Sequence, residues 1–353
     1  MYQTFNSVAM TTILGLDLAV WWFLVVGAVF TGYAVLDGFD LGAGAIHMLF
    51  RKEASRRVAL NAIGPVWDGN EVWLVIGGGT LFAGFPVVYG TVFSAFYVPF
   101  MLFLVALIFR AISIEFRSKE PMAWWRKMWD WSYSVASIVV ALSLGVVLGN
   151  LIQGLPIGAD REFHGTWLSF LNPYALLVGL TTVALFAQHG AVYLLLKTEN
   201  RIYARLTLIV RQTLRVFTGL YLLLSVATLW YVPHMLAVFR QQPWLFAVPL
   251  LTLALVLAIG RFLKRRRYFP AFVCSGSIAA LLLLTVAAGL FPVLVRSTLN
   301  PAWNLTVQNS ASSPKSLSIM LTMAAIGIPL VATYTSFVFW VFRGKVRLDS
   351  ASY

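Results

Sequence analysis

LDLAVWWFLVVGAVFTGYAVL, residues 16–36, holds a single charged side chain, Asp17, and that one lies at its edge. A helix needs about 20 predominantly apolar residues to cross the hydrocarbon core of a bilayer. Further stretches of this kind occupy 72–90, 92–113, 130–153, 171–196, 214–234, 244–263, 270–295 and 317–342. They are continuous apolar runs, whereas spanning strands would alternate over about 10 residues, so the backbone must pair within helices. The whole chain agrees: 60% of its 353 residues are hydrophobic and 11% are charged. The reading is an all-α integral membrane protein of about nine transmembrane helices, with residues 1–353 forming a single membrane domain. The longest connections, roughly 154–170 and 296–316, are too short for a soluble domain of ordinary size.

A formal charge of +13 would suit a nucleic-acid binder if it were concentrated on one surface, but the cations lie between the spans. All of the 26 Lys and Arg except Arg161, Arg240, Arg296 and Lys315 fall in the segments 51–57, 110–127, 197–215, 261–267 and 343–347. These segments share one side of a nine-span chain. The positive-inside rule then places the N-terminus outside and the C-terminus in the cytoplasm, with no nucleic-acid partner implied. The first 13 residues lack a cationic n-region and a small-residue cleavage site, so no removable signal is expected. The lone Cys274 excludes an intrachain disulfide and a cysteine-held cluster.

A weak repeat relates the first and fifth spans, which both run inward and carry Asp37-Gly38 and His189-Gly190 before a basic loop. It suggests two four-helix bundles, 14–153 and 171–295, with 317–342 as a peripheral ninth helix.

Ionisable groups at membrane depth are costly and therefore mark function. Asp37, Asp40, Asp68 and Glu71 all fall toward the inner side, which suits proton delivery. Asp68 and Glu71 also read as a capping box opening the second span. Asp37 and Asp40 also read as residues that end the first span in the Gly-rich DGFDLGAG, or that pair with Arg51, Arg56 or Arg57. Among the histidines, only His47 and His189 lie in or beside apolar runs, and both read as hydrogen-bonded packing residues rather than iron ligands. No metal site is expected. Trp21, Trp22, Trp124, Trp125 and Trp129 suit interfacial belts, while Trp67 and Trp73 flank the acidic opening of the second span.

VLDGFDLGAG at 35–44 and NAIGPVWDGNEVWL at 61–74 closely resemble the signature of subunit II of cytochrome bd-type ubiquinol oxidases. The likeness continues in order through FRSK at 116–119, WWRKMWDW at 124–131, GNLIQGLP at 149–156, LNPYALL at 171–177, HGAVYL at 189–194 and LTVQNSASSP at 305–314. It implies two four-helix bundles plus one helix, in a heterodimer with a larger subunit I that holds two haems b and one haem d. Such a complex oxidises quinol, reduces O2 to water, takes protons from the cytoplasm and sits in the bacterial cytoplasmic (inner) membrane. It also implies that this chain is a scaffold without catalytic residues of its own. By position, Asp68 resembles the family aspartate placed at the start of a proton path, and Asp40 another buried acid. Trp73 resembles the tryptophan at an oxygen route, and Trp67 to Asn70 lie near a structural quinone. A single-helix accessory subunit accompanies some members. The connection near FRQQPW is shorter than in the longest relatives, which leaves quinone or accessory contacts there in doubt. From the residues alone, a proton-coupled membrane transporter and a purely structural subunit are the alternatives.

Overall fold

The computed structural model describes residues 12–199 and 201–346, and within them the chain forms twelve helices and four short strands. In order, the helices are α1 (Leu18–Ala45), α2 (Glu53–Ile63), α3 (Trp67–Gly84), α4 (Pro86–Ala95), α5 (Tyr97–Phe116) and α6 (Ala123–Gln153). There follow α7 (Pro173–Lys197), α8 (Arg201–Tyr231), α9 (Pro233–Gln241), α10 (Ala247–Lys264), α11 (Tyr268–Leu290) and α12 (Pro314–Val341). Strands β1 (Thr12–Ile13) and β2 (Leu16–Asp17) make a small hairpin before α1, and β3 (Val293–Val295) pairs antiparallel with β4 (Leu305–Thr306). The expectation about a signal segment falls largely on residues outside those described, as does Arg347 of the basic tail.

Eight of the described helices are long and apolar enough to cross a membrane: α1, α5, α6, α7, α8, α10, α11 and α12. The remaining expected span is α3, whose 18 residues carry Asp68 and Glu71 near the start. It runs antiparallel beside α1 over its whole length, with Asn70 against Asp40, Gly77 against Phe30 and Gly84 against Trp22. The stretch expected at 72–90 therefore starts five residues too late and runs through a break. Pro86 has no N–H to continue the ladder and restricts the residue before it, so α3 stops at Gly84 and α4 restarts with Pro86 in its first turn. For the same reason the stretch expected at 92–113 becomes α5, and α4 is a separate short helix. The hydroxyl of Thr91 in α4 donates to the Arg161 carbonyl at 2.9 Å, which places α4 beside the 154–170 connection.

The first helix is also longer than expected. It continues through DGFDLGAG to Ala45 instead of ending near residue 36, and it lies against α3, α6, α7, α11 and α12. Its crossing with α7 is set by Gly42 and Gly190. A Cβ on Gly42 would overlap the Phe186 carbonyl, and one on Gly190 would enter the backbone at Gly42 and Ala43. With no hydrophobic force between helices in lipid, such close backbone approach supplies the dispersion contacts that hold them together. Gly190 thus lies against Phe39, Gly42 and Ala43, while Gly38 faces the ring of Phe186 one turn earlier on α7.

At the end remote from the basic loops, the two long connections join each other. The amide of Leu155 donates to the Arg296 carbonyl at 2.8 Å, that of Thr298 to the Leu155 carbonyl at 2.9 Å, and the Ser297 hydroxyl to the Ile157 carbonyl at 2.7 Å. On this same exposed pad, the Glu162 amide and then the His164 ring hold the Asp160 carboxyl below the usual range. The last helix is fastened mainly at its ends. Ser312 donates its amide to the Gly84 carbonyl and its hydroxyl to that of Ala83, while Val346 donates to the Lys197 carbonyl and Lys345 to that of Thr198. Trp22 departs from the expected interfacial belt: it is buried, and its indole N–H donates to the Thr80 carbonyl at 2.9 Å.

Gly190→Ala should force α1 and α7 apart and lower stability by about 1–3 kcal/mol, the usual cost of overpacking a filled interior. Gly78→Ala, which meets nothing within 4 Å, should leave stability unchanged or slightly raised. Thermal unfolding of the detergent-purified protein measures both.

Candidate functional site

Because α1 stays helical through DGFDLGAG, Asp37 and Asp40 lie one turn apart and both are fully buried. An isolated carboxylate at such depth is expensive, so a partner is required. The partner is Arg110 of α5, itself fully buried. Its Nη2 donates to Asp37 Oδ1 at 2.6 Å, and its Nη1 to Asp37 Oδ2 at 3.3 Å and to Glu71 Oε2 at 3.1 Å. One planar guanidinium thus bridges α1 and α3, a geometry that an ammonium could not reproduce. Asp40 is held differently. The Asn70 amide donates to its Oδ2 at 2.7 Å, the Tyr133 hydroxyl of α6 reaches its backbone carbonyl at 3.3 Å, and its Oδ1 has no partner among the described residues.

Of the expected partners, Arg56 joins Asp130 instead. Nor is there a capping box at the start of α3. The cap position is Val66, with no side-chain hydrogen bond, and Asp68 lies inside the first turn. The carboxylate of Glu71 turns toward Arg110 rather than back to a cap N–H, because a buried cation attracts it more strongly than a neutral donor does. Of the four expected acids, Asp37, Asp40 and Glu71 come together, whereas Asp68 stays exposed two residues before Asn70. Its carboxylate still gains from the positive end of α3. Trp67 is buried in the core beside this site. Trp73 packs against Gly32 and lines a cavity of about 370 Å³ between α1, α3 and α12, together with Trp22, Thr80 and Met320.

A second ionic cluster closes the same end of the helices. Asp130 of α6 accepts from His47 Nε2 at 2.6 Å, Arg117 Nε at 2.6 Å and Arg56 Nη1 at 2.9 Å, and Arg117 also pairs with Glu53 at 2.9 Å. Arg110 and Arg117 were expected in a solvated basic loop, and both are buried. Arg110, Asp130 and Tyr133 are thus the residues that sequence reasoning did not single out. A signal for Arg110 existed: two acids within an apolar helix demand a cation at matching depth, and Arg110 follows directly on the apolar run of α5.

Each of the four histidines is hydrogen-bonded within the chain. His47 is tied to Asp130, and His189 shares a hydrogen bond with Ser275 at 2.7 Å and another with the Val35 carbonyl at 3.0 Å. His234 donates to the Ile152 carbonyl and His164 meets Asp160. No cluster of three metal-ligating side chains occurs among the described residues. A larger cavity of about 380 Å³ lies between α6, α7, α8 and α11, and its lining includes Tyr174, Thr181, Tyr221 and Ser225 but no histidine.

A family model for cytochrome bd terminal oxidase subunit II matches residues 18–342. The chain is 33% identical over 366 residues to cytochrome bd-I ubiquinol oxidase subunit 2 of Escherichia coli K12, covering 94% of this chain and 95% of that protein. It is also 33% identical over 328 residues to cytochrome bd ubiquinol oxidase subunit 2 of Bacillus subtilis, covering 92% and 96%. In fold it is similar to a chain of the bd oxidase of Geobacillus thermodenitrificans, with a TM-score of 0.76 and 19% identity over 92% of this chain and 98% of that one.

Replacing Arg110 with Leu should cost about 3–5 kcal/mol, since it strands Asp37 and Glu71 without a cation. The loss should appear as a lower melting temperature and less protein in membranes. Adding Asp37→Asn to Arg110→Leu should recover part of it, because the stranded charge is then removed.

Proposed function

The chain belongs to the cytochrome bd terminal oxidase subunit II family, and from that membership we propose that it forms a heterodimer with a haem-bearing subunit I and delivers protons to it. It is an integral membrane subunit of a quinol-oxidising terminal oxidase, and this family sets the transporter reading aside. The observation that carries the proton reading is the buried cluster of Asp37, Asp40, Glu71 and Arg110 beside exposed Asp68, at the end where the basic loops lie. With those loops on the cytoplasmic side of the inner membrane, this end faces the compartment from which protons are drawn. On this orientation residues 14–153 and 171–295 act as two four-helix bundles, with 317–342 as the ninth helix.

The haems, two of type b and one of type d, belong in subunit I, where they pass electrons from quinol to O2. The committed histidines of this chain support that placement. Here the side chains hold and relay protons. Asp68 collects them at the surface, and Glu71, one turn along α3, is the next carboxylate inward. A structural quinone fits the apolar cavity between α6, α7, α8 and α11 better than the Trp67 to Asn70 stretch, whose Trp67 and Asn70 side chains are packed in the core. Oxygen, being apolar, fits the cavity that Trp73 lines. A single-helix accessory subunit remains part of the proposed assembly.

The complex purified through this chain should show the absorption bands of haem b and haem d; a haem-free preparation would contradict the heterodimer. In that complex Asp68→Asn should slow O2 reduction severalfold with the haem spectrum intact. Unchanged turnover across pH would leave Asp68 with no part in proton delivery.

A further inference from the structure

Asp40, Gly44 and His47 follow one another at spacings of four and three, so they form a single stripe along α1 and its C-terminal turn. Facing them, Asp130, Tyr133 and Ser137 make the corresponding stripe on α6. The contacts match level by level. His47 bonds Asp130 and sets its ring edge-on to Tyr133 at 5.2 Å between centroids. Gly44 faces the Ser137 hydroxyl and the Tyr133 ring, so closely that a Cβ there would overlap the Ser137 oxygen. The Tyr133 hydroxyl reaches the Asp40 carbonyl.

The residues of this seam carry three buried polar atoms without a protein partner among the described residues, His47 Nδ1, Ser137 Oγ and Asp40 Oδ1, the other Asp40 carboxyl oxygen being bonded to Asn70 of α3. Buried polar groups of this kind are normally satisfied by internal water. The other groups around Asp40 are Asp37, Glu71, Arg110 and Asn70. Arg110 bonds Glu71 and Asp37, whereas Asp40 has no cation bonded to it among the described residues.

We propose that Asp40 holds an exchangeable proton that reaches it by a separate inlet, a water-bridged seam between α1 and α6 running from the His47–Asp130 pair past Ser137. This rests on reading Asp40 as a proton carrier and adds a route independent of Asp68. Each step moves a proton between hydrogen-bonded oxygen or nitrogen atoms, with no change of oxidation state. His47 and Ser137 are positioning residues for the water, while Asp40 is the group that takes the proton.

The test is infrared spectroscopy of the intact complex transferred from H2O to D2O, with the Asp40 acid carbonyl band isolated by subtracting the Asp40→Asn spectrum. In Ser137→Ala, a small change that leaves the ionic clusters in place, the band should persist while its deuterium exchange slows about tenfold, the scale of one lost hydrogen bond in the relay. His47→Gln should slow it likewise, and Glu71→Gln should not. Exchange at the original rate in Ser137→Ala, or slowing in Glu71→Gln alone, would overturn the inlet. Absence of any deuterium-sensitive Asp40 band would overturn the carrier reading itself.

Discussion

One guanidinium fixes the depth at which three helices meet. Arg110 enters the interior from α5 and finds Asp37 on α1 and Glu71 on α3. A slip of one residue along any of them would swing a charge to another face, and in hydrocarbon a stranded charge is far dearer than a lost apolar contact. Apolar helices in lipid have no comparable way of choosing a register, because a leucine is as comfortable against acyl chains as against another helix. The ion cluster therefore sets the alignment that the glycine crossing of α1 and α7 then tightens. Asp130 repeats the arrangement at the end near the basic loops, where His47, Arg56 and Arg117 bring α6 to the segments following α1 and α5.

The same physics separates what could be read in the sequence from what could not. Apolar run length located the long helices, since it is a property of single segments facing lipid. Failures came where a polar residue belongs inside a helix. Asp37 and Asp40 looked like terminators of α1, yet the helix continues, with Arg110 bonded to Asp37 and Asn70 to one oxygen of Asp40. Asp68 and Glu71 looked like a cap for the same reason, whereas α3 begins at Trp67. The boundary at Phe85 was missed because Pro86 lies in an apolar run that hydropathy alone does not divide.

The site was half legible. Acidic residues at membrane depth announced themselves, and three of the four converge. Their cation did not, because Arg110 stands at the seam between an apolar run and a basic loop, where charge counting assigns it to the loop. Asp130 was hidden likewise among the aromatic and basic residues of WWRKMWDW. Reading either correctly requires knowing which helices are neighbours, and that is a tertiary fact.

Packing alone gives no obvious need for charges this deep. Replacing a buried ion group by apolar side chains of similar volume is often neutral or even stabilising, so stability alone does not account for Arg110 and its two carboxylates. Register is one use, and a single ion pair would suffice for that. Asp40 goes further: among the described residues it has no cation bonded to it and keeps one oxygen unpaired, and it lies on the same seam as Ser137 and His47, which also carry unpaired atoms. A residue kept for packing would have been matched more completely. We therefore read the Arg110 cluster as the frame and Asp40 as the group that the frame holds in place for a proton.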